Sequence, residues 1–401
     1  MVSESERAVS VGEPASRAVT GSLWEKAGGW PGAGMAVGIL ALTRTGQLVM
    51  LLWLAAAADQ GDTLRQYLLE WDGGWFVRVA MNGYPNGYTV GAGGQLEANE
   101  LAFFPLYPML IRAVSMLGLD FGSAAIAVSW LASIGAAVAL HLLGTSLHGK
   151  RAGWALVAIC CSAPVSVVLT MAYSEGLFLA LVAGMLVAAH RRVWWAAGLL
   201  GLLASLTRPT GAGAAVALAV AAALHVREAR ATGSGGTWKP IVAAAVALAG
   251  VPAYLGWVAL RVGDLDAWFR IQAAGWGTAF DFGASTVRFL GGTLSTGDGW
   301  VPISVALILL AAAAAAGVAL AGRPWLPLAV YGVIAMVLVY GQAGFYHSKP
   351  RLLLPVLLTL LPAVGAAARA RPRVAVPAIV AWALFGLWYG AYLVVVWPYT
   401  L

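Results

Sequence analysis

Charge is scarce in this chain. Only 10% of its 401 residues are Asp, Glu, Lys or Arg, against 61% apolar. A soluble domain of that length needs far more ionised surface, so a soluble fold is excluded. Cysteine is nearly absent: Cys160 and Cys161 are neighbours inside an apolar run, where a vicinal bridge would be strained and no metal partner stands near. That excludes a disulfide framework and leaves packing as their role. Residues 1–33 lack the short apolar core and small-residue cleavage site of a secretory signal. They are polar, carry Arg7, Arg17 and Lys26, and read as a loose cytoplasmic tail. No internal repeat of the inverted-repeat transporter kind is visible. Ionisable residues near mid-membrane are sparse beyond Arg44, which is expected to pair with an acid or reach a polar cavity.

Apolar segments take the place of charge, and the mean hydropathy is +0.81. A span needs about 20 apolar residues at roughly 1.5 Å rise each, and such segments recur from Gly34 to Trp397. The chain therefore reads as an all-α polytopic membrane protein with a single transmembrane domain over 34–401. A net charge of +7 does not imply a nucleic-acid partner, which would require a basic face on a soluble domain. Cytoplasmic loops retain Lys and Arg, and one topology satisfies that rule. It has eleven spans, near 35–58, 121–143, 152–171, 175–190, 193–207, 211–226, 239–260, 301–321, 325–342, 352–368 and 374–397, with the amino terminus inside. The inner side then receives the tail, Lys150, Arg151, Arg191, Arg192, Arg227, Arg230, Lys239, Arg323, Arg369, Arg371 and Arg373, which is 14 of the 24 basic residues. Outside lie 12 of the 17 acids: Asp59, Asp62, Glu70, Asp72, Glu97, Glu100, Asp120, Glu175, Asp264, Asp266, Asp281 and Asp298.

The same test assigns the ambiguous segment from Phe103 to Leu119. If it crossed, every later basic pair would change sides. It is expected instead as an amphipathic helix on the outer leaflet, with Pro105 and Pro108 near its start, where a missing amide donor costs least. The first external loop, 59–120, is then large and structured, with two surface helices separated by a flexible Gly83–Gly94 stretch. The run 193–226 breaks at Arg208-Pro209-Thr210-Gly211 and reads as two short helices meeting near the outer face.

Polar residues from four distant segments gather on that outer side. Asp72 sits in the aromatic and glycine-rich stretch Trp71-Asp72-Gly73-Gly74-Trp75-Phe76; Tyr173-Ser174-Glu175 forms the turn between the third and fourth spans; Arg208 lies at the next outer turn; His347-Ser348-Lys349-Pro350-Arg351 precedes the tenth span. Transfer of a sugar from a lipid phosphate would use such a set. It needs a carboxylate to take the proton of the acceptor hydroxyl and fixed cations to hold the phosphate as its charge grows. Asp72 suits the first role, and Arg208, Lys349 and Arg351 the second, with His347 as a further candidate for the phosphate. Single displacement would invert the anomeric centre. The isoprenoid tail would lie between helices.

Each residue has a plainer role open to it. Asp72 would cap a helix starting near Gly73, and Glu175 with Ser174 would cap the fourth span. Arg208 would snorkel to the head groups. Lys349 and Arg351 straddle a proline at a helix start, where positive charge opposes the helix dipole and an anionic partner is expected. His347, a lone external histidine, needs no special role. The tryptophans Trp268, Trp276, Trp300 and Trp397 read as an interfacial belt.

These segments resemble the PIG-V family, the second mannosyltransferase of glycosylphosphatidylinositol anchor assembly and its bacterial relatives, within the GT-C superfamily. The matching pieces are Trp71-Asp72 with Val79-Ala80 and Gly83-Tyr84, then Ala102 to Pro108, Tyr173-Ser174-Glu175, Ser205 with Arg208 and Gly211, and Ser348 to Pro355. They run in order from residue 71 to residue 355. The resemblance implies a GT-C-type fold, a polyprenyl-phosphate-mannose donor, inverting transfer on the non-cytoplasmic face of the plasma membrane, and Asp72 as the catalytic acid of the first loop. The tract Glu97-Ala98-Asn99-Glu100-Leu101 does not align, so assistance to Asp72 by Glu97 or Glu100 stays open, as does acceptor positioning by Tyr173 or Glu175. The Ala- and Gly-rich composition resembles that of high-GC bacteria, so the acceptor does not carry over; a glycolipid, lipoglycan or secreted protein would serve. No cofactor is implied, and few acids near Asp72 besides Glu70, Glu97 and Glu100 argue against a divalent metal. A GT-C enzyme using another polyprenyl-phosphate sugar such as arabinose is one alternative, and a lipid or solute transporter, which would need no structured first loop with a single acid, is another.

Overall fold

The computed structural model describes residues 22–233 and 235–399. Among them the chain is almost entirely helical. In order come α1 (Leu23–Lys26), α2 (Gly29–Ala57), α3 (Leu64–Leu69), α4 (Asp72–Asn82), a two-stranded hairpin (Thr89–Val90 and Leu96–Glu97), α5 (Leu106–Ser115), α6 (Phe121–His148) and α7 (Lys150–Cys161). Then follow α8 (Glu175–His190), α9 (Trp194–Ser205), α10 (Gly211–Ala231), α11 (Trp238–Val262), α12 (Ala267–Trp276) and α13 (Ala284–Thr296). Last are α14 (Trp300–Ala321), α15 (Leu326–Gly341), α16 (Lys349–Leu353), α17 (Leu361–Arg369) and α18 (Pro372–Val395). Six of these, α2, α6, α10, α11, α14 and α18, are each long and apolar enough to cross a membrane, and α8, α9 and α15 are apolar but shorter. This is a multi-pass membrane protein. Large apolar side chains face outward, Leu42 at 75% exposure and Leu260 at 88%, as lipid contact requires and water would penalise.

Small residues let the helices touch. A Cβ on Gly144 of α6 would lie 2.7 Å from the Cα of Gly153 on α7, so the two backbones meet where any side chain would hold them apart. Two of the expected spans are broken. The third, expected over 152–171, ends as a helix at Cys161, and residues 162–174 continue without α-helix except for a 3₁₀ turn at Ser166–Leu169. Pro164, which lacks an amide hydrogen, and Val165, in a left-handed conformation at φ 63°, account for the interruption. The tenth bends by 76° between Tyr346–Leu353 and Leu357–Arg369, around Pro355. The run 193–226 does divide, into α9 and α10. At the start of the chain α1 and the first turn of α2 already occupy 23–33, and residues 1–21 of the expected tail lie outside the described residues.

The 58–120 loop is more built than expected. A reciprocal Thr63–Gln66 capping box starts α3, the Asp120 carboxylate accepts from the amides of Gly122 and Ser123 to start α6, and α5 begins at the two prolines. The Gly83–Gly94 stretch is not simply flexible: part of it pairs Thr89 with Glu97 and Val90 with Leu96. Two phenols and an arginine tie this loop to the next. Tyr88 donates to Asp264 at 2.6 Å, Tyr254 of α11 donates to the Phe103 carbonyl at 2.7 Å, and Arg261 donates to the carbonyls of Pro85 and Tyr84. The loop thus forms a fixed cap at one end of the bundle.

Within that cap Glu70 is half-buried. Burial first, and the Asp62 carboxylate second, push its carboxyl up from 4.5 to about 7. A folded-state pKa above the unfolded one means the folded protein holds a proton that the unfolded chain has released. Stability from this group is therefore full below pH 4.5 and is lost as pH rises through about 7. Unfolding of the detergent-solubilised protein followed across that range should show this loss, and Glu70→Gln should flatten it; equal slopes in both proteins would contradict the assignment.

Candidate active site

Four elements converge beneath the cap. Trp71, held at φ 52°, turns the chain sharply so that α4 begins at Asp72 itself. Asp72 is therefore not the cap residue, and no side-chain cap bond forms at that end. Its carboxylate instead accepts from Nη1 of Arg351 on α16 at 2.6 Å. The Nε of Arg351 lies 3.4 Å from Oε1 of Glu175, the first residue of α8. The same oxygen lies 2.5 Å from Nη1 of Arg208, in the turn between α9 and α10, and Arg208 also donates to the Ser174 hydroxyl at 3.3 Å. Two carboxylates and two guanidiniums thus form one chain, Asp72–Arg351–Glu175–Arg208. Glu175 is its most deeply buried member, with its side chain 2% exposed. A lone carboxylate there would be heavily penalised, and the flanking guanidiniums are what allow it to stay.

Asp72, Arg208 and Arg351 line a cavity of about 450 Å³ together with Trp75, Phe103 and Trp276. The aromatic rings make one wall. Trp75 stacks on Phe103 at 5.7 Å between centroids, and Trp276 meets both edge-on at 5.5 and 5.4 Å. Gln272 and Gln342 add amides to the lining. The cavity is therefore cationic and acidic on one side and flat and aromatic on the other, which suits a charged group bonded to a ring with polarised C–H edges.

The other predicted residues occupy different places. Lys349 lines the cavity, but its ammonium donates to the carbonyls of Val339 and Gln342, at 2.7 and 2.6 Å, where α15 ends with unpaired carbonyls. Tyr173 is buried behind the wall: its hydroxyl accepts from the Asp72 amide at 3.4 Å, and the Arg351 guanidinium lies 5.1 Å from its ring centre. His347 is buried against Phe345 and Tyr346 and does not line the cavity. Glu97 and Glu100 do not line it either; Glu97 is exposed on the second hairpin strand, and Glu100 starts the 3₁₀ turn that follows it. Among the described residues no group of three or more His, Cys, Asp and Glu side chains is close enough to hold a metal ion. The residues the sequence reading did not single out are the aromatic wall and the two glutamines. Trp75 and Phe103 fall inside the recognised segments, but Trp276 had been taken for the interfacial belt.

A second cavity lies across α16. It holds about 600 Å³ and is lined by Ile159, Ile308, Leu353, Leu354, Ile379 and Trp382, with many alanines and Thr359 as its one polar side chain. Pro350, Leu353 and Leu354 face it, while Lys349, Arg351 and Leu352 of the same short helix face the polar cavity. One helical turn thus separates a charged site from an oily groove.

No family model matches the chain. Part of it is similar to curated proteins. It is 32% identical to GPI alpha-1,6-mannosyltransferase 2 of Rattus norvegicus over 155 residues, 36% of this chain and 29% of that one. It is 33% identical to the Mus musculus protein of the same name over 171 residues, 39% of this chain and 32% of that one. It is 30% identical to GPI mannosyltransferase 2 of Drosophila melanogaster over 122 residues, 28% of this chain and 25% of that one. Each alignment spans less than a third of the relative's length. Among solved structures, the apo oligosaccharyltransferase of Archaeoglobus fulgidus superposes with a TM-score of 0.44 and 14% identity, covering 90% of this chain and 56% of that one.

Proposed function

We propose that this protein is a membrane glycosyltransferase that moves mannose from a polyprenyl-phosphate-mannose donor to a hydroxyl of a lipid-linked or extracytoplasmic acceptor, with inversion. The observation that carries the reading is the joint lining of one cavity by Asp72, Arg208 and Arg351, with an apolar groove on the far side of the helix that bears Arg351. The partial similarity to mannosyltransferases supports the sugar. The distribution of basic residues supports an active site on the non-cytoplasmic face of the membrane, and we place the protein in the plasma membrane.

In this mechanism the donor phosphate binds Arg351 and Arg208, and the isoprenoid tail runs along the groove. Arg351 is paired with Asp72 before the donor arrives, so phosphate binding competes for the guanidinium and leaves the Asp72 carboxylate open to the acceptor. The acceptor oxygen attacks the anomeric carbon as its proton passes to Asp72. The bond from that carbon to the phosphate oxygen breaks, and polyprenyl phosphate leaves with the electron pair, its new charge held by the two arginines. Glu175 holds those arginines a fixed distance apart. The aromatic wall offers a face for the sugar.

Asp72→Asn keeps the shape and removes the base. Turnover with polyprenyl-phosphate-mannose and a lipid acceptor, read by mass spectrometry, should fall by about 10²- to 10⁴-fold while donor binding is kept or tightened, because the carboxylate no longer competes for Arg351; retained activity would remove Asp72 from the chemistry. Ala367→Trp narrows the groove that Ala367 lines. It should raise the KM of a long-chain donor about 10-fold and leave a short-chain donor unaffected. Equal effects on both would place the tail elsewhere.

A further inference from the structure

Arg44 lies midway along α2, buried, and no acid pairs with it among the described residues. The acid or polar cavity expected for it from the sequence is not what it meets. Its guanidinium is spent on the broken segment that follows α7. Nη1 donates to the Ser166 carbonyl at 2.6 Å and to the Thr170 hydroxyl at 2.9 Å, and Nη2 donates to the Cys161 carbonyl and, at 3.3 Å, to the Ser166 hydroxyl.

The need for such a donor follows from the break itself. α7 stops after 12 residues, or about 18 Å, so its last carbonyls lose their in-helix partners inside the bundle: those of Ala158, Ile159 and Cys160 accept from the Ser162 hydroxyl, the Trp382 indole and the Ala163 amide, and that of Cys161 is left to Arg44. They carry the negative end of the helix dipole, which replaces an acid as the counterpart of a buried cation. Two further side chains serve residues 162–174. Ser133 of α6 donates to the Leu169 carbonyl at 3.1 Å, and Trp130 of α6 donates to the Thr170 carbonyl at 2.8 Å. From the opposite side α18 presses in: a Cβ on Gly386 would sit 2.0 Å from the Ser162 carbonyl oxygen.

The held segment leads directly into the site. The Ala172 amide donates to the Leu68 carbonyl at 2.8 Å, close before Asp72; the Tyr173 hydroxyl accepts from the Asp72 amide; and Glu175 follows, between the two arginines. We propose that Arg44 is a positioning residue for the transfer reaction: by clamping the carbonyls of Cys161 and Ser166 it fixes the unwound segment that sets Tyr173 and Glu175, and through them Arg351 and Asp72. This rests on the glycosyltransferase reading for its kinetic consequence. Its structural half stands apart from that reading.

The test uses the full chain in nanodiscs as Arg44→Met and Arg44→Lys, with two readouts. In Arg44→Met, amide hydrogen exchange over 162–175 should quicken at least about 10-fold while the middle of α6 is unchanged, because a segment held by one short 3₁₀ turn rather than a continuous helix depends on the clamp. Its kcat for transfer from polyprenyl-phosphate-mannose should fall about 10- to 100-fold with the donor KM within about threefold, as expected when a distant change misaligns the reacting groups rather than the binding contacts. Arg44→Lys, which restores one cation but not the fork, should recover part of both losses. If Arg44→Met does not reach the membrane, Arg44→Lys carries both readouts alone, with smaller effects in the same directions. Unchanged exchange over 162–175 overturns the clamp. Faster exchange with unchanged kcat overturns the positioning role. Should the wild-type protein transfer no sugar, the functional reading falls, and the exchange arm still decides whether Arg44 holds the segment.

Discussion

A single buried carboxylate holds the site together. Glu175 is enclosed by protein, and an ionised acid in that position is tolerable only because Arg208 and Arg351 approach it from two different parts of the chain. The constraint works in both directions. Each guanidinium is also fixed by the acid, so the turn before α10 and the short helix α16 are drawn to the start of α8. Arg351 then reaches Asp72 and adds α4 to the set. Four segments spread from residue 72 to residue 351 thus share one charge-balanced cluster, and the cavity beside it inherits a fixed carboxylate and fixed cations.

Both interruptions of the expected spans occur at this cluster. An unbroken helix through 162–174 would carry Tyr173 and Glu175 on a regular spiral, and an unbroken helix through 346–369 would leave no bend to divide the polar cavity from the oily groove. Non-helical backbone inside a membrane protein has to find hydrogen-bond partners from neighbouring side chains. Arg44, Ser133 and Trp130 serve the first break, and Lys349 serves the end of α15 beside the second. Some polar residues inside this bundle line the cavity and others hold broken backbone in place, and Lys349 does both.

That division explains what was legible in the sequence. The apolar runs and the basic clusters located the helices, because length and charge placement are local properties. Asp72, Arg208 and Arg351 were legible as a set because ionisable residues beside hydrocarbon must be paired or used, and few candidates exist. The breaks were not legible: Pro164 and Pro355 sit in apolar runs that hydropathy scores as continuous. The role of Lys349 was hidden because its partners are backbone carbonyls, which no side-chain pattern reports. Arg44 was misjudged for the same reason. Glu97 and Glu100 were drawn in by nearness in sequence to Phe103, yet Glu97 lies exposed on the hairpin and neither lines the cavity. Trp276 was assigned to the bilayer surface because an interfacial tryptophan and a cavity-lining one have the same local signature, and only the approach of α12 to α4 separates them.

The account centres on one exchange of partners, in which a lipid phosphate takes Arg351 from Asp72. A structure of the protein with polyprenyl phosphate bound in nanodiscs tests it most directly. The account predicts phosphate oxygens within hydrogen-bond reach of Arg351 and Arg208, the prenyl chain along Leu353 and Ile379, and the Asp72 carboxylate turned free into the cavity. A phosphate bound at any other place, with the Asp72–Arg351 pair intact, would contradict it.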